Sequence, residues 1–376
     1  MHKNSDMRLH IFNPEHDIAL AADLANFTSP HAGRQLRHDL GFLPALWAEE
    51  GDVVVVDDVE LAQQSLRKTV TAALKKKVAT RFNNVQLVSG ASGLTLDSVS
   101  PWGWDRAVRT RLQRCGVGDS LLPTDEQLDL VRRLSHRRVA MQLLPSLRLD
   151  GTVGESFECT SEDEVNAFLE RFRRVVLKAP WSSSGRGIRF LDVSCQGDTE
   201  KTNNERGWLR NVIKAQGSVM VEPYYNKVKD FGMEFSVDAD GKVHYEGLSL
   251  FHTMNGAYTG NILASEQVKL SMLGRYLPET LLHEVQQTVC TCAEPLLRGY
   301  HGPFGIDMMV VANNCQLSIV NCQFLLHPCV EINLRRTMGH VALSLTPQDD
   351  DVRAVMRIEY VGGSYHLKLT NSKKTI

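Results

Sequence analysis

A chain of 376 residues exceeds what one hydrophobic core normally fills, so two or three packed units are expected. Hydrophobic residues at 43% and charged residues at 23% are ordinary globular values, and 42 basic against 44 acidic residues leave a net charge of -2. That balance excludes a dedicated nucleic-acid binder, which carries a basic excess, and no run of about 18 apolar residues points to a membrane span. The polar stretch Met1 to His10 has no secretory pattern, so the expectation is a cytoplasmic protein without membrane or nucleic-acid partners. Eight cysteines, Cys115, Cys159, Cys195, Cys290, Cys292, Cys315, Cys322 and Cys329, form no Cys-x-x-Cys pair and read as reduced thiols.

In chain order, Arg8 to Phe12 reads as a strand, His31 to Trp47 as a helix, and Val53 to Val56 as a buried parallel strand. Leu61 to Lys77 is helical and Val85 to Val88 is a further strand. The first part is therefore an α/β layer, ending at Pro101-Trp-Gly-Trp-Asp105. Both tryptophans there read as packing residues. Arg106 to Arg114 and Asp125 to Leu144 are arginine-rich helices, whose charges read as solvated faces more than phosphate contacts. Thr160 or Ser161 caps a helix that opens Glu162-Asp-Glu164.

From Arg174 the pattern turns to hairpins. Val175 to Lys178 and Ile188 to Val193 are strands, as is Val219 to Val221. Phe231 to Val237 and Lys242 to Ser249 flank the turn Asp240-Gly241. Residues 265–298 are helical, Phe304 to Val311 and Leu317 to Asn321 are strands, and Val352 to Leu369 is a last hairpin around Gly362-Gly363.

Three segments carry the chemistry. Lys178-Ala-Pro-Trp-Ser-Ser-Ser-Gly-Arg-Gly187 brings a lysine to a small, glycine-bearing turn whose backbone can approach phosphate. Val219-Met-Val-Glu-Pro-Tyr-Tyr225 ends a strand in a carboxylate. Gly302-Pro-Phe-Gly-Ile-Asp307 and Val330-Glu-Ile-Asn-Leu-Arg335 bring two carboxylates and an amide oxygen to sheet ends. Glu331 and Asn333 share a strand face, and these hard oxygen ligands suit magnesium.

The order of these segments resembles the ATP-grasp superfamily over roughly residues 130–345. The resemblance implies an N-terminal α/β domain over 1–125, a small ATP-grasp subdomain over 126–215, and a C-terminal subdomain with mixed sheets over 216–376. It implies an ATP-dependent ligase that activates a carboxylate as an acyl phosphate for an amine or similar nucleophile. A small-molecule kinase and a non-catalytic nucleotide binder are the alternatives. Lys178 and Arg335 would act on the transferring phosphoryl group, Ser183, Ser184, Gly185 and Gly187 would cover the phosphates, and Arg137 would replace a family lysine. Val221 and Glu222 would meet adenine and Glu234 the ribose. Asp307, Glu331 and Asn333 would hold magnesium, or manganese in its place. The stretch Asn321 to Pro328 reads as an insertion, and a dimer is compatible with the sequence.

Asn13-Pro-Glu-His-Asp17 follows the first strand, where an α/β sheet binds ligands, so it reads equally as a substrate segment and as a helix cap by Asp17. His252 to Asn261 reads as a polar loop, equally one in which Tyr258 or Asn261 reaches substrate and a plain surface loop.

Overall fold

A computed structural model describes residues 7–73, 85–182, 185, 187–193, 199–254, 257–313, 323–346, 350 and 353–371. Ser183 and Ser184, three of the cysteines, and the expected strand Leu317 to Asn321 lie outside the described residues. Cys115, Cys159, Cys290, Cys292 and Cys329 are free thiols.

The N-terminal layer is a parallel sheet of β1 (Arg8–Ile11), β2 (Val53–Val55), β3 (Gln86–Val88) and β4 (Ser98–Pro101), in the order β3-β2-β1-β4. Its valine run is buried on both faces, as a parallel sheet covered by helices requires. Next, β5 (Phe157–Cys159), β6 (Arg174–Lys178), β7 (Ile188–Asp192) and β8 (Val219–Pro223) form an antiparallel sheet ordered β5-β8-β6-β7. Ser161 caps the helix Glu162–Phe172 that covers it, by accepting from the Glu164 N–H.

The remaining strands are β9 (Lys227–Val237), β10 (Val243–Ser249), β11 (Phe251–Met254), β12 (Ala257–Leu263), β13 (Gly302–Ala312), β14 (Phe324–Asn333), β15 (Ala354–Val361) and β16 (Ser364–Asn371). They make two sheets, β10-β9-β13-β14 and β11-β12-β15-β16. In the first, Phe231, Met233 and Phe235 on β9 and Phe304, Ile306 and Met308 on β13 face one core. The intervening residues fall on the opposite face, because side chains alternate along a strand. That alternation places Gly232 and Glu234 beside Gly305 and Asp307, and these beside Glu331 and Asn333.

Several expectations are corrected. The helix from His31 ends at Leu40, and Gly41 and Pro44 divert the chain into a 3-10 turn at Leu43–Leu46. The long helices break at Ser135–Arg137 and between Leu273 and Glu279. Of the expected loop over 252–261, residues 252–254 and 257–261 are strand, belonging to β11 and β12, which pair antiparallel. There Asn261 is fully buried, donating to Ser249 Oγ at 2.8 Å and accepting from the Tyr258 hydroxyl.

Within the stretch read as an insertion, Phe324 to Pro328 is the start of β14, and residues 321 and 322 lie outside the described residues. The register between β13 and β14 shifts between Asp307 and Met309, opposite the stretch that holds Pro328. A bulge there removes the ladder bond that proline cannot donate. The C-terminal hairpin packs back on the N-terminal layer. Leu367 and Leu369 share a core with Leu40 and Val54, and the Tyr365 N–H donates to Asp39 at 2.7 Å. Among the described residues, no helix is long and apolar enough to cross a membrane.

Candidate active site

The loop after β6 is anchored before it turns. Trp181 is buried, its indole N–H donates to the Arg132 carbonyl at 2.9 Å, and the Arg132 guanidinium stacks 4.0 Å from its ring. Gly185 adopts φ +71, and a Cβ on Gly187 would lie 2.1 Å from Ser182 Oγ, so both turn positions require glycine. Lys178, at the end of β6, is buried and pairs with Glu222 of β8 at 2.6 Å. Its ammonium also donates to the Val330 carbonyl at 3.2 Å.

Arg137 sits where the arginine-rich helix breaks. Its guanidinium donates to the Ala179 carbonyl at 2.6 Å, to Ser182 Oγ at 2.7 Å and to Glu331 at 2.7 Å. Burial opposes its charge, but the Glu331 carboxylate outweighs that and holds it firmly protonated. Cations from the hairpin sheet and from the helix break thus meet the edge of β14.

Across the β13–β14 ladder Asp307 lies opposite Glu331, and Gly305 opposite Asn333. Burial, reinforced by Glu331, pushes the Asp307 carboxyl up to about 7. Asn333 donates from its amide to Asp307 at 3.3 Å and accepts from Arg335 Nη2 at 2.9 Å. Arg335 also grips Asp17, with contacts from 2.8 to 3.2 Å, and gives a further hydrogen bond to the Arg336 carbonyl. Although burial favours the neutral acid, Arg335 holds Asp17 below the usual carboxylate range. Asp17 therefore does not cap its helix, which runs His16–Ala22 with no side-chain cap.

Glu234 lies in a tighter chamber. It is 3% exposed, accepts from Thr337 Oγ1 at 2.8 Å, and lies 3.1 Å from His340 Nδ1. Thr337 caps the helix Met338–Leu345, and its backbone N–H donates to that same Nδ1. The lone pair of Nδ1 is taken by that N–H, so this nitrogen offers no proton to Glu234 and does not stabilise its charged form. Burial pushes Glu234 up to about 8, with Asp307 adding to the shift, while burial holds His340 down at about 3. A Cβ on Gly339 would fall 1.7 Å from Glu234, and one on Gly305 2.4 Å away, so both glycines make room for the acid.

The expected site residues thus separate into two groups. Lys178 with Glu222, Arg137 with Glu331, and Asp307 with Asn333 and Arg335 follow one another along β14 as a chain of three separate polar clusters. Glu234 reaches that chain only through its field, and Val221 is fully buried with strand partners on both sides. Sequence reasoning left Asp17 ambiguous and missed His327. This histidine is buried, held down at about 3 by burial and by Lys178, and neither ring nitrogen has a partner. It stands four residues before Glu331 on β14, the spacing that puts two strand residues on one face, and that alternation is the signal that could have found it.

No known family profile and no curated protein matches the sequence. Solved structures do match the fold. The biotin carboxylase domain of Hydrogenobacter thermophilus 2-oxoglutarate carboxylase, solved with MgADP, ADP and bicarbonate, aligns with TM-score 0.51 and 13% identity over 95% of this chain and 75% of that one. Biotin carboxylase from Campylobacter jejuni aligns with TM-score 0.51 and 12% identity, over 94% and 76%. N5-carboxyaminoimidazole synthetase from Staphylococcus aureus, complexed with ADP, aligns with TM-score 0.48 and 12% identity, over 95% and 84%. By its architecture the chain has the ATP-grasp fold, as its motif order led one to expect.

Proposed function

We propose that this protein is an ATP-dependent ligase that activates a carboxylate as an acyl phosphate and passes the acyl group to an amine or similar nucleophile. The observation that carries the reading is the meeting of Lys178 and Arg137 with the β14 edge, through the Val330 carbonyl and Glu331. Two cations beside two carboxylates are what a bound polyphosphate and its divalent ion need.

Magnesium fits Asp307, Glu331 and Asn333. Among the described residues no group of three or more His, Cys, Asp or Glu is arranged to hold a metal alone. Magnesium, however, commonly takes one or two carboxylates and completes its shell with phosphate oxygens and water. The raised Asp307 carboxyl beside Glu331 is a like-charge pair that a cation would relieve. When bound, the ion would offset charge on the nucleotide phosphates.

The chain's own groups do the rest. Lys178, released from Glu222, and Arg137, released from Glu331, would hold the phosphate oxygens. Asp17 keeps the Arg335 fork oriented beside Asn333. The substrate carboxylate oxygen attacks the γ-phosphorus and ADP leaves. The nucleophile then adds to the acyl carbon and phosphate leaves, its proton passing to solvent.

Hydroxylamine trapping tests this reading. Incubated with MgATP, a panel of carboxylates and hydroxylamine, the enzyme should form a hydroxamate together with ADP and phosphate. Formation of ADP with a stable phosphorylated product and no phosphate would make it a kinase instead.

A further inference from the structure

The arginines of the N-terminal layer do not all solvate helix faces. Beyond the carboxyl ends of β1 and β4 lies a pocket of about 220 Å³, lined among others by Glu15, Ser29, Arg34, Arg37, Arg111 and Arg114. That is room for several waters or a small metabolite. Open α/β sheets bind ligands at this edge.

Its charges are unbalanced. Arg37 pairs with Glu15 and Asp57, and Arg111 shares Asp57 at 2.6 Å. Arg34 donates to the Ser29 carbonyl, and Arg114 pairs with no carboxylate among the described residues. Four guanidiniums therefore face three acids, Glu15, Asp57 and Asp105, and Asp105 is already engaged by Asn13, His16 and the Val108 N–H. Three buried polar atoms lack partners: Ser29 Oγ, Glu15 Oε2 and Arg111 Nη1. Ser29 is 4% exposed and the Glu15 side chain 10%, so water does not readily satisfy them. The helix His31–Leu40 starts beside Ser29 with no side-chain cap, adding its positive end.

We infer that this pocket binds a small phosphomonoester, at a site separate from the nucleotide cleft. A carboxylate offers two oxygens and one charge, whereas a phosphomonoester offers three terminal oxygens and up to two charges. The latter suits Arg34, Arg111, Arg114 and the Ser29 hydroxyl together. Glu15 Oε2 is left to accept a hydrogen bond from a hydroxyl or amine on the organic part. The inference stands whether or not the ligase reading holds.

Isothermal titration of the full chain at fixed ionic strength tests it, with inorganic phosphate, glycerol 3-phosphate and succinate as probes. Phosphate should bind saturably at one site, glycerol 3-phosphate more tightly through its hydroxyls, and succinate weakly. Arg34→Gln and Arg114→Gln alter exposed side chains and should each weaken binding roughly tenfold, the loss of one charge-assisted contact. MgATP affinity should stay unchanged in both variants. Absence of saturable phosphate binding by the wild type would overturn the inference, as would preferred binding of succinate. So would phosphate binding that survives the double variant yet disappears in Lys178→Ala, which would place the anion in the nucleotide cleft.

Discussion

Arg137 and Glu331, 194 residues apart, join the break between two helices to β14 through a 2.7 Å ion pair. The same guanidinium holds Ala179 and Ser182, so one side chain fixes the base of the β6–β7 loop against β14. Arg137→Ala leaves Glu331 without its partner and should cost about 3 kcal/mol, read from urea unfolding. Arg137→Lys keeps charge but loses the fork, so MgATP turnover should fall about a hundredfold. Turnover within twofold of wild type would show that the arginine is only a structural tie.

Asp17 orients Arg335 across the boundary between the N-terminal layer and the β13–β14 sheet. Asp17→Asn should lower kcat with little change in the KM for ATP, because it loosens the guanidinium without touching Lys178. A stability loss of about 2 kcal/mol is expected from the weakened charge-assisted contacts. An unchanged kcat would remove Asp17 from the account.

Glu234 gives a pH signature. Its folded pKa, about 8, stands above the ordinary value of 4.5, so between these values the folded chain binds a proton that the unfolded chain has lost. Stability contributed by Glu234 is present in full at low pH and declines as pH rises from about 4.5 to about 8. Glu234→Gln should flatten that decline in denaturation measured across the range. A mutant with the wild-type slope would assign the decline to other groups, Asp307 foremost.

Glycine substitutions separate the crowded chamber from open surface. Gly339→Ala should destabilise by about 2 kcal/mol, because its Cβ would overlap Glu234. Gly207→Ala, in the helix Thr199–Gln216 with nothing within 4 Å of the added methyl, should stabilise by about 1 kcal/mol. Equal effects would mean the chamber relaxes around the methyl.

Much of this was legible in the sequence because strands write their faces in alternation. Phe231-Gly-Met-Glu-Phe235 and Phe304-Gly-Ile-Asp-Met308 display core and site residues by turns, and the Lys178 hairpin announces itself through its glycines. Asp17 and Arg335 left no such trace, since a pair 318 residues apart has no period. The irregularity at Pro328 hid the start of β14, because a proline inside an apolar run argues against a continuous strand and the pairing there skips two residues. The β11–β12 hairpin looked like a loop because its buried Asn261 is satisfied by Ser249 and Tyr258, partners the local sequence does not advertise.

The most direct test of the central claim is calorimetric titration of ATP, with and without magnesium, into wild type, Lys178→Ala and Glu331→Gln. The account predicts magnesium-dependent binding to wild type, weakened at least about tenfold by Lys178→Ala. Glu331→Gln should remove most of the magnesium dependence while retaining some binding of ATP alone. Folded wild type that binds no ATP with magnesium present, or variants that bind as well as wild type, would contradict it.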